Sequence, residues 1–341
     1  MSPKTATTSK TATKTEDEPK IINVDRDFKG NLENAIAAAK DGDLVQLGND
    51  TYYTEGIRLN KDITIDGQKG SVIDGGGTSE SIFYLTASAS GATIQDVEIT
   101  NGNNGIFAEG ASNLTLQNLD INNIGINQTI RNGPNNTGII LSHAEGLRLL
   151  DSKIHNIGRK AVGIENTDGG IISGLSIEDV NLRAQHTQSH DAAGIKFFNT
   201  NDITVKDSYF SDINGISIWN DTNNSTTIEN NVIENVGEDF LAPSFNQQVD
   251  IFGIYDEKSY NSVIKNNEVT AIDDFSAFRA TEFSGETMTL EDNNFSSSKL
   301  GTTDYWVNEL AEKLVALTED PDQADFSLFA EEYSAYANIG D

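Results

Sequence analysis

The amino-acid sequence predicts an all-β fold, a right-handed parallel β-helix in which short strands stack coil upon coil. Three observations carry that prediction. Short segments of alternating character (LVQL, ITIDG, ATIQDVEI, LTLQNLDI, LRLLDSKI, IISGLSI, ITVKDSYF, TTIENNVI, SVIKNNEV and MTLEDNNF) recur from about residue 43 to 298. Most lead through a turn into a second strand that opens Gly-Ile, at Gly105, Gly138, Gly163, Gly194, Gly215 and Gly253. Several repeats are 21 to 25 residues long and the longer ones carry insertions in one particular turn, which is the period of a solenoid. Asn and Asp crowd the turns, where they tolerate left-handed backbone, so stacked coils should align them in ladders. No coil offers a helix, and the leucine-asparagine consensus of leucine-rich repeats is missing.

The elements follow in order. Residues 1–20 are Thr, Lys, Ser, Ala and Glu with no large apolar residue after Met1, the composition of a disordered tail. NLENAIAAAK (Asn31 to Lys40) has helical spacing and ends at Asp41-Gly42-Asp43. Such a helix would cover the open first coil, whose edges are otherwise unpaired. The β-helix domain is read as residues 21–298. From 299 to 341 the chain becomes an acidic helical segment, with ten acids and one lysine after residue 300. It reads equally as a cap for the last coil, a secretion signal or a linker.

Composition narrows the function. The chain has no cysteine, so disulfides and cysteine-ligated metal sites are excluded. A formal charge of −30, from 53 acidic and 23 basic residues, repels nucleic acid and anionic membranes. No apolar run of 18 residues exists, so no membrane insertion is expected. The start lacks an apolar signal-peptide core. Acidity suits an extracellular protein secreted without a visible Sec signal, with cytoplasmic residence as the alternative. A monomer is expected.

Because side chains alternate in and out along a strand, the residue after each Gly-Ile pair should face outward. Coil by coil that column reads Phe107, Ile140, Glu165, Lys196, Ser217, Tyr255 and Arg279. Two positions on, a second column reads Glu109, Ser142, Thr167, Phe198, Trp219, Glu257 and Thr281, while Asn166 and Asp256 fall between them as polar exceptions in the core. The turn before Gly-Ile is long in three coils (126–137, 181–193 and 237–252) and would wall a groove over this face. Between Arg131 and Lys196, seven basic residues balance seven acids, and all four histidines (His143, His155, His186 and His190) fall there. Arg159, Lys160 and Arg183 lie in or beside one turn next to Lys196. A locally basic groove suits an anionic ligand, with arginine able to grip a carboxylate.

The NLENAIAAAKDGDLVQLGNDTYY opening, the ITIDGQKGSVIDGGG coil and the ENNVIENVG coil resemble the pectate-lyase-like superfamily of β-helices over about residues 22–298. That resemblance implies a polysaccharide lyase, an alginate C5-epimerase or a glycoside hydrolase. Lys258-Ser259, followed by Phe278-Arg279, is similar to alginate lyases of the chondroitinase B type, and implies Lys258 as base and Arg279 as acid. The calcium ligands of that family would fall on Ile251 and Gly253, and its histidine on Ala280, so the match departs there. Gln188-Ser189-His190-Asp191 resembles the Asp-Pro-His motif of mannuronan epimerases without its Asp-Pro.

Proton abstraction at C5 of a uronate needs a cation on the carboxylate, a base and an acid. The expected catalytic set is Lys196, His190, Tyr255, Arg279, Lys258, Glu165 and Asp191. The expected substrate-binding set is Arg183, Arg159, Lys160, His186, Phe198 and Trp219, with the two aromatics as sugar-stacking platforms. A glycoside hydrolase would need paired carboxylates instead, for which Glu165 and Asp191 are the candidates. A non-catalytic β-helix that binds carbohydrate or protein is the third reading. The expected ligand is an anionic polysaccharide or oligosaccharide; no metal site is assigned, and calcium is left open as a cofactor.

Overall fold

A computed structural model describes residues 18–126, 136–181, 192–236, 251–271, 276–280 and 287–297. Its strands form three parallel sheets, of 11, 9 and 10 strands. Each complete coil contributes one strand to each sheet in a fixed order, so strands inside a sheet pair with their counterparts one coil before and after. The nine-stranded sheet runs from Ile57–Leu59 to Ser276–Ala280 and is called here the groove sheet. The 11-stranded sheet (Ile21–Asn23 to Thr289–Glu291) and the 10-stranded sheet (Thr51–Tyr53 to Asn294–Ser297) complete the triangle.

Two sequence features produce this shape. Inward positions carry β-branched or large apolar residues, which suit a pleated surface. In the 11-stranded sheet one inward column reads Val45, Ile65, Ile94, Leu116, Leu149, Ile172, Val205, Ile228, Ile264 and Leu290, all buried. Burying each such side chain favours folding by roughly 1.5–3 kcal/mol. From the strand Thr93–Gln95 onward, the sharp turn from the 11- to the 10-stranded sheet carries a left-handed residue in each coil. Asp96, Asn118, Asp151, Asp207, Asn230, Asn266 and Asp292 supply it with φ between 48° and 58°, and Gly174 supplies it with φ 70°. Beside them Asn231, Asn267 and Asn293 stack. Ser208 N donates to Asn231 Oδ1 (3.1 Å), Asn231 N to Asn267 Oδ1 (3.0 Å) and Asn267 N to Asn293 Oδ1 (3.0 Å). These are the ladders the turn composition implied.

The expected N-terminal helix is present as α2 (Leu32–Ala38). A further short helix, α1 (Val24–Phe28), precedes it, and the sequence reading had not assigned it. Asn23 and Asn31 cap them, accepting from Arg26 N (2.9 Å) and Asn34 N (2.8 Å). Val24, Leu32, Ala35 and Ile36 close the first coil from above. Lys61 Nζ donates to the carbonyls of Ile36, Ala37 and Ala39 at the end of α2, where a cation also meets the negative end of the helix dipole. Among the described residues no helix is long and apolar enough to cross a membrane. The 299–341 segment, and residues 1–17 of the expected tail, lie outside the described residues.

Candidate functional site

The groove sheet presents two outward columns, and strand pairing fixes their membership. The first reads Arg58, Tyr84, Phe107, Ile140, Gly163, Lys196, Trp219, Tyr255 and Arg279. The second reads Thr86, Glu109, Ser142, Glu165, Phe198, Asp221 and Glu257. The sequence reading placed Glu165 and Ser217 beside Lys196 and moved Trp219 to the second column; all three are corrected here. Glu165 pairs with Ser142 and Phe198, Ser217 falls two positions before the column, and Trp219 sits directly between Lys196 and Tyr255. Thr167 is also corrected: it is buried in a turn, its hydroxyl on the Glu165 carbonyl at 2.9 Å. Thr281 lies outside the described residues.

The cause is the Gly-Ile doublet, which is not the true frame marker. Gly163-Ile164 starts two residues late and Gly215-Ile216 two residues early. The position held constant is a small residue two before the column: Gly105, Gly138, Ala161, Gly194, Ser217, Gly253 and Ala277. A Cβ at Gly194 would stand 2.5 Å from the Ser217 carbonyl oxygen, and one at Gly253 would stand 2.4 Å from that of Ala277. Close backbone approach between coils therefore selects small side chains there. That column of Gly, Ala and Ser was readable in the sequence and would have set the register.

From Lys196 to Arg279 the first column is a continuous stack. Lys196 Nζ lies 3.4 Å from the Trp219 ring centre. Trp219 and Tyr255 stack at 6.0 Å with 29° between planes. The Arg279 guanidinium lies 5.4 Å from the Tyr255 ring and 5.0 Å from that of Phe252. Cations over ring faces gain from the quadrupole, more so when desolvated. Carboxylates of the second column brace this stack: Lys196 Nζ to Asp221 Oδ2 is 3.1 Å, and Trp219 Nε1 donates to Glu257 Oε2 at 3.0 Å. Lys160 is buried with Nζ 4.0 Å from Glu165. Its ammonium lies over the outer face of Gly163, 3.2 Å from where a Cβ would be.

The expected exposure of this face is corrected in part. Trp219, Tyr255 and Lys196 are only 5%, 6% and 8% exposed. Trp219 and Tyr255 join Ile216 and Phe252 in a small apolar cluster of their own, separate from the main core. With Tyr255 stacked beside it and Lys196 Nζ over its ring, the buried Trp219 has no open face to offer a sugar, so its expected role as a stacking platform is not supported in this conformation. Phe198, 42% exposed, and Arg279, also exposed, do face solvent. Arg159 is buried. Lys258 is not brought to Arg279. It lies three residues past Tyr255, the partner of Arg279, about 10 Å further along the strand direction. There it adopts φ 52° in a turn and pairs with Glu257 at 3.5 Å. Ile251 is buried and Gly253 has no side chain, so those positions supply no calcium ligand, and no cluster of three metal-binding side chains exists among the described residues. Arg183, His186, His190 and Asp191 lie outside the described residues, as do most of the three insertions. Their described flanks all join the 10-stranded sheet to the groove sheet.

Beneath the stack, Asp256 points inward as expected and is fully buried. Asn166 does not: it is a half-buried turn residue with φ 48°, and Asn199 Nδ2 donates to it at 2.7 Å. The polar core residue that sequence reading missed is Asn220, whose Nδ2 donates to Asp256 Oδ1 at 2.8 Å and to Ser262 Oγ at 3.1 Å. Burial pushes the Asp256 carboxyl up to about 6, against the hydrogen bonds from Asn220, Ser262 and Ser259 that favour its charged form. His143 and His155 serve elsewhere. His143 Nδ1 meets Ser142 Oγ (2.8 Å) and Glu109 Oε1 (3.2 Å), and His155 Nε2 meets Asp120 Oδ1 (3.0 Å) on the 10-stranded sheet.

Three parallel sheets, a groove sheet whose aromatic pairs are flanked by cations, and a neighbouring column that holds four carboxylates define a solenoid built to present one face. The chain belongs to the right-handed β-helix family, whose profile matches residues 125–308. No curated protein matches it in sequence. Among solved structures it is similar to the catalytic domain of a family-87 glycoside hydrolase, an α-1,3-glucanase in complex with nigerose, with 14% identity and a TM-score of 0.51. A tetrasaccharide complex of a variant of such a domain gives 15% identity and the same TM-score. The chain spans 59% of the length of those structures, which cover 86% of it. It also resembles an alginate lyase from a Paenibacillus species (16% identity, TM-score 0.44), covering 99% of that chain and 81% of this one.

Proposed function

We propose that this chain is a carbohydrate-active enzyme that acts on an acidic, uronate-containing polysaccharide by proton abstraction at C5. The observation that carries the reading is the juxtaposition of Tyr255 with the exposed guanidinium of Arg279 on adjacent rungs. Arg279 holds the uronate carboxylate and lowers the cost of the C5 carbanion. Tyr255 moves the proton. Lys196, ion-paired with Asp221 at 3.1 Å, adds positive potential beside the site. His190, carried by the insertion that precedes Lys196 in sequence, is the alternative base, and Arg183 and His186 on that insertion are further substrate contacts. In β-elimination the C5–H electron pair forms the C4–C5 double bond, the C4–O bond breaks, and the leaving oxygen takes a proton. In epimerisation a proton returns to C5 from the opposite face. The chain is proposed to act outside the cell, as a monomer.

A second reading rests on Asp221 and Glu257, direct partners in the second column. Carboxylates on neighbouring coils are the separation class that glycoside hydrolysis uses, and they replace Glu165 and Asp191 as the candidate pair. Incubation with alginate, pectate and chondroitin separates the readings. A rise in ultraviolet absorbance reports the unsaturated lyase product, proton NMR of recovered polymer reports epimerisation, and new reducing ends without absorbance report hydrolysis. Silence in all three assays would sink the enzymatic reading.

A further inference from the structure

The groove sheet has a second aromatic site, at its N-terminal end, that the cation–aromatic stack does not use. A groove of about 390 Å³ opens there, in the volume range of small-molecule sites. Its floor is the start of the same outward column: the Arg58 guanidinium lies 4.9 Å from the Tyr84 ring centre, and Tyr84 meets Phe107 at 5.4 Å. Ile140 continues the floor, while Glu55 and Glu80 stand exposed at the wall. Unlike Trp219 and Tyr255, Tyr84 and Phe107 are only half-buried, so ring surface is open to a ligand.

The chemistry of the lining selects the occupant. Half-exposed aromatic rings accept the apolar C–H face of a pyranose. Carboxylates accept hydrogen bonds from sugar hydroxyls, more strongly than neutral acceptors do. Two carboxylates against one guanidinium leave the site with negative charge, which opposes a uronate and favours an uncharged ring. Asn104 reinforces the wall by donating to the Glu80 carbonyl (3.1 Å) and to Ser81 Oγ (3.2 Å).

We infer that the Tyr84–Phe107 groove binds a neutral pyranose. Taken with the proposed chemistry at Arg279, on which this step rests, it makes the substrate a mixed glycan with uncharged as well as uronate residues. Phe107 and Arg279 are six rungs apart, about 29 Å at the interstrand spacing, so one extended oligosaccharide of several residues reaches both zones.

The test is saturation-transfer NMR on the full chain. Neutral pyranoses (glucose, galactose, mannose and N-acetylglucosamine) and their disaccharides are compared with glucuronate and galacturonate. In Arg279→Ala, which removes the proposed uronate contact, at least one neutral sugar should bind at least tenfold more tightly than either uronate. That binding should be lost in Tyr84→Ala and weakened several-fold in Glu80→Gln, whose exposed side chain carries no folding role, while Arg279→Ala leaves it unchanged. Absence of any neutral-sugar signal, uronate binding to Arg279→Ala that equals or exceeds neutral-sugar binding, or neutral-sugar binding that survives Tyr84→Ala would each overturn the inference. Neutral-sugar binding together with silence on every uronate polymer would instead refute the reading at Arg279 and leave this site standing.

Discussion

The two ends of the groove sheet are built with opposite polarity above and below. Around Tyr84 and Phe107 the core beneath is apolar (Leu85, Ala108 and Leu141), and the aromatic rings above are open. Around Trp219 and Tyr255 the core beneath is polar, with Asn220 bonded to Asp256, and the rings above are covered. The C-terminal end has in effect a second small core outside the solenoid. A single sheet can thus hold one region preorganised by packing and another left free for a ligand.

The widest separation between the ends should appear in Lys196→Ala. It removes one member of a buried pair and strands Asp221, at a cost of about 3–5 kcal/mol, whereas Tyr84→Ala at the open end should cost far less. Urea unfolding of both variants checks this, and equal losses would break the contrast. Next comes pH. The folded-state carboxyl of Asp256 lies at about 6, above its ordinary 3.8. Its stabilising contribution is therefore complete below about pH 4 and is lost as pH rises through 6, an effect of about 3 kcal/mol. Asp256→Asn should flatten that slope and raise the midpoint of urea unfolding more at pH 8 than at pH 5. Trp219→Phe, which deletes the donor to Glu257, should cost about 1 kcal/mol beyond its lost area. Gly163→Ala should cost least, within about 0.5 kcal/mol, because the atoms in its way are the flexible end of Lys160; a larger loss would show that this lysine is rigidly held.

How much of this was legible follows from how local each signal is. The turn residues Asp96, Asn118 and Asp151 and the inward isoleucines act within one coil, so composition and period revealed the solenoid. Register between coils is a relation at a distance, and a doublet in single coils misread it at Glu165 and Ser217. Tyr84 was missed because its strand, FYLT, follows Ser81-Ile82 and has no Gly-Ile doublet, whereas Arg58 does follow one, Gly56-Ile57, in a coil ahead of the six from which the column was read. Trp219 was assigned to solvent because alternation tells outside from inside the solenoid but says nothing of what packs on its exterior. The dyad of Asn220 and Asp256 needed the corrected frame, since aligning Ser217 with Tyr255 set Ile218, not Asn220, opposite Asp256.

The coils set another limit. Equivalent residues recur at |i−j| of 33, 23 and 36, so long and short coils mix while each advances the axis by the same step. Distance along the groove is consequently digital, counted in whole coils whatever their length in residues. A descendant that lost or duplicated one coil would move the Tyr84 zone relative to Arg279 by about 4.8 Å and by no smaller increment. Such a solenoid works as a vernier against a polymer, and changes in coil number are the mutations that would retune it to a glycan of different repeat.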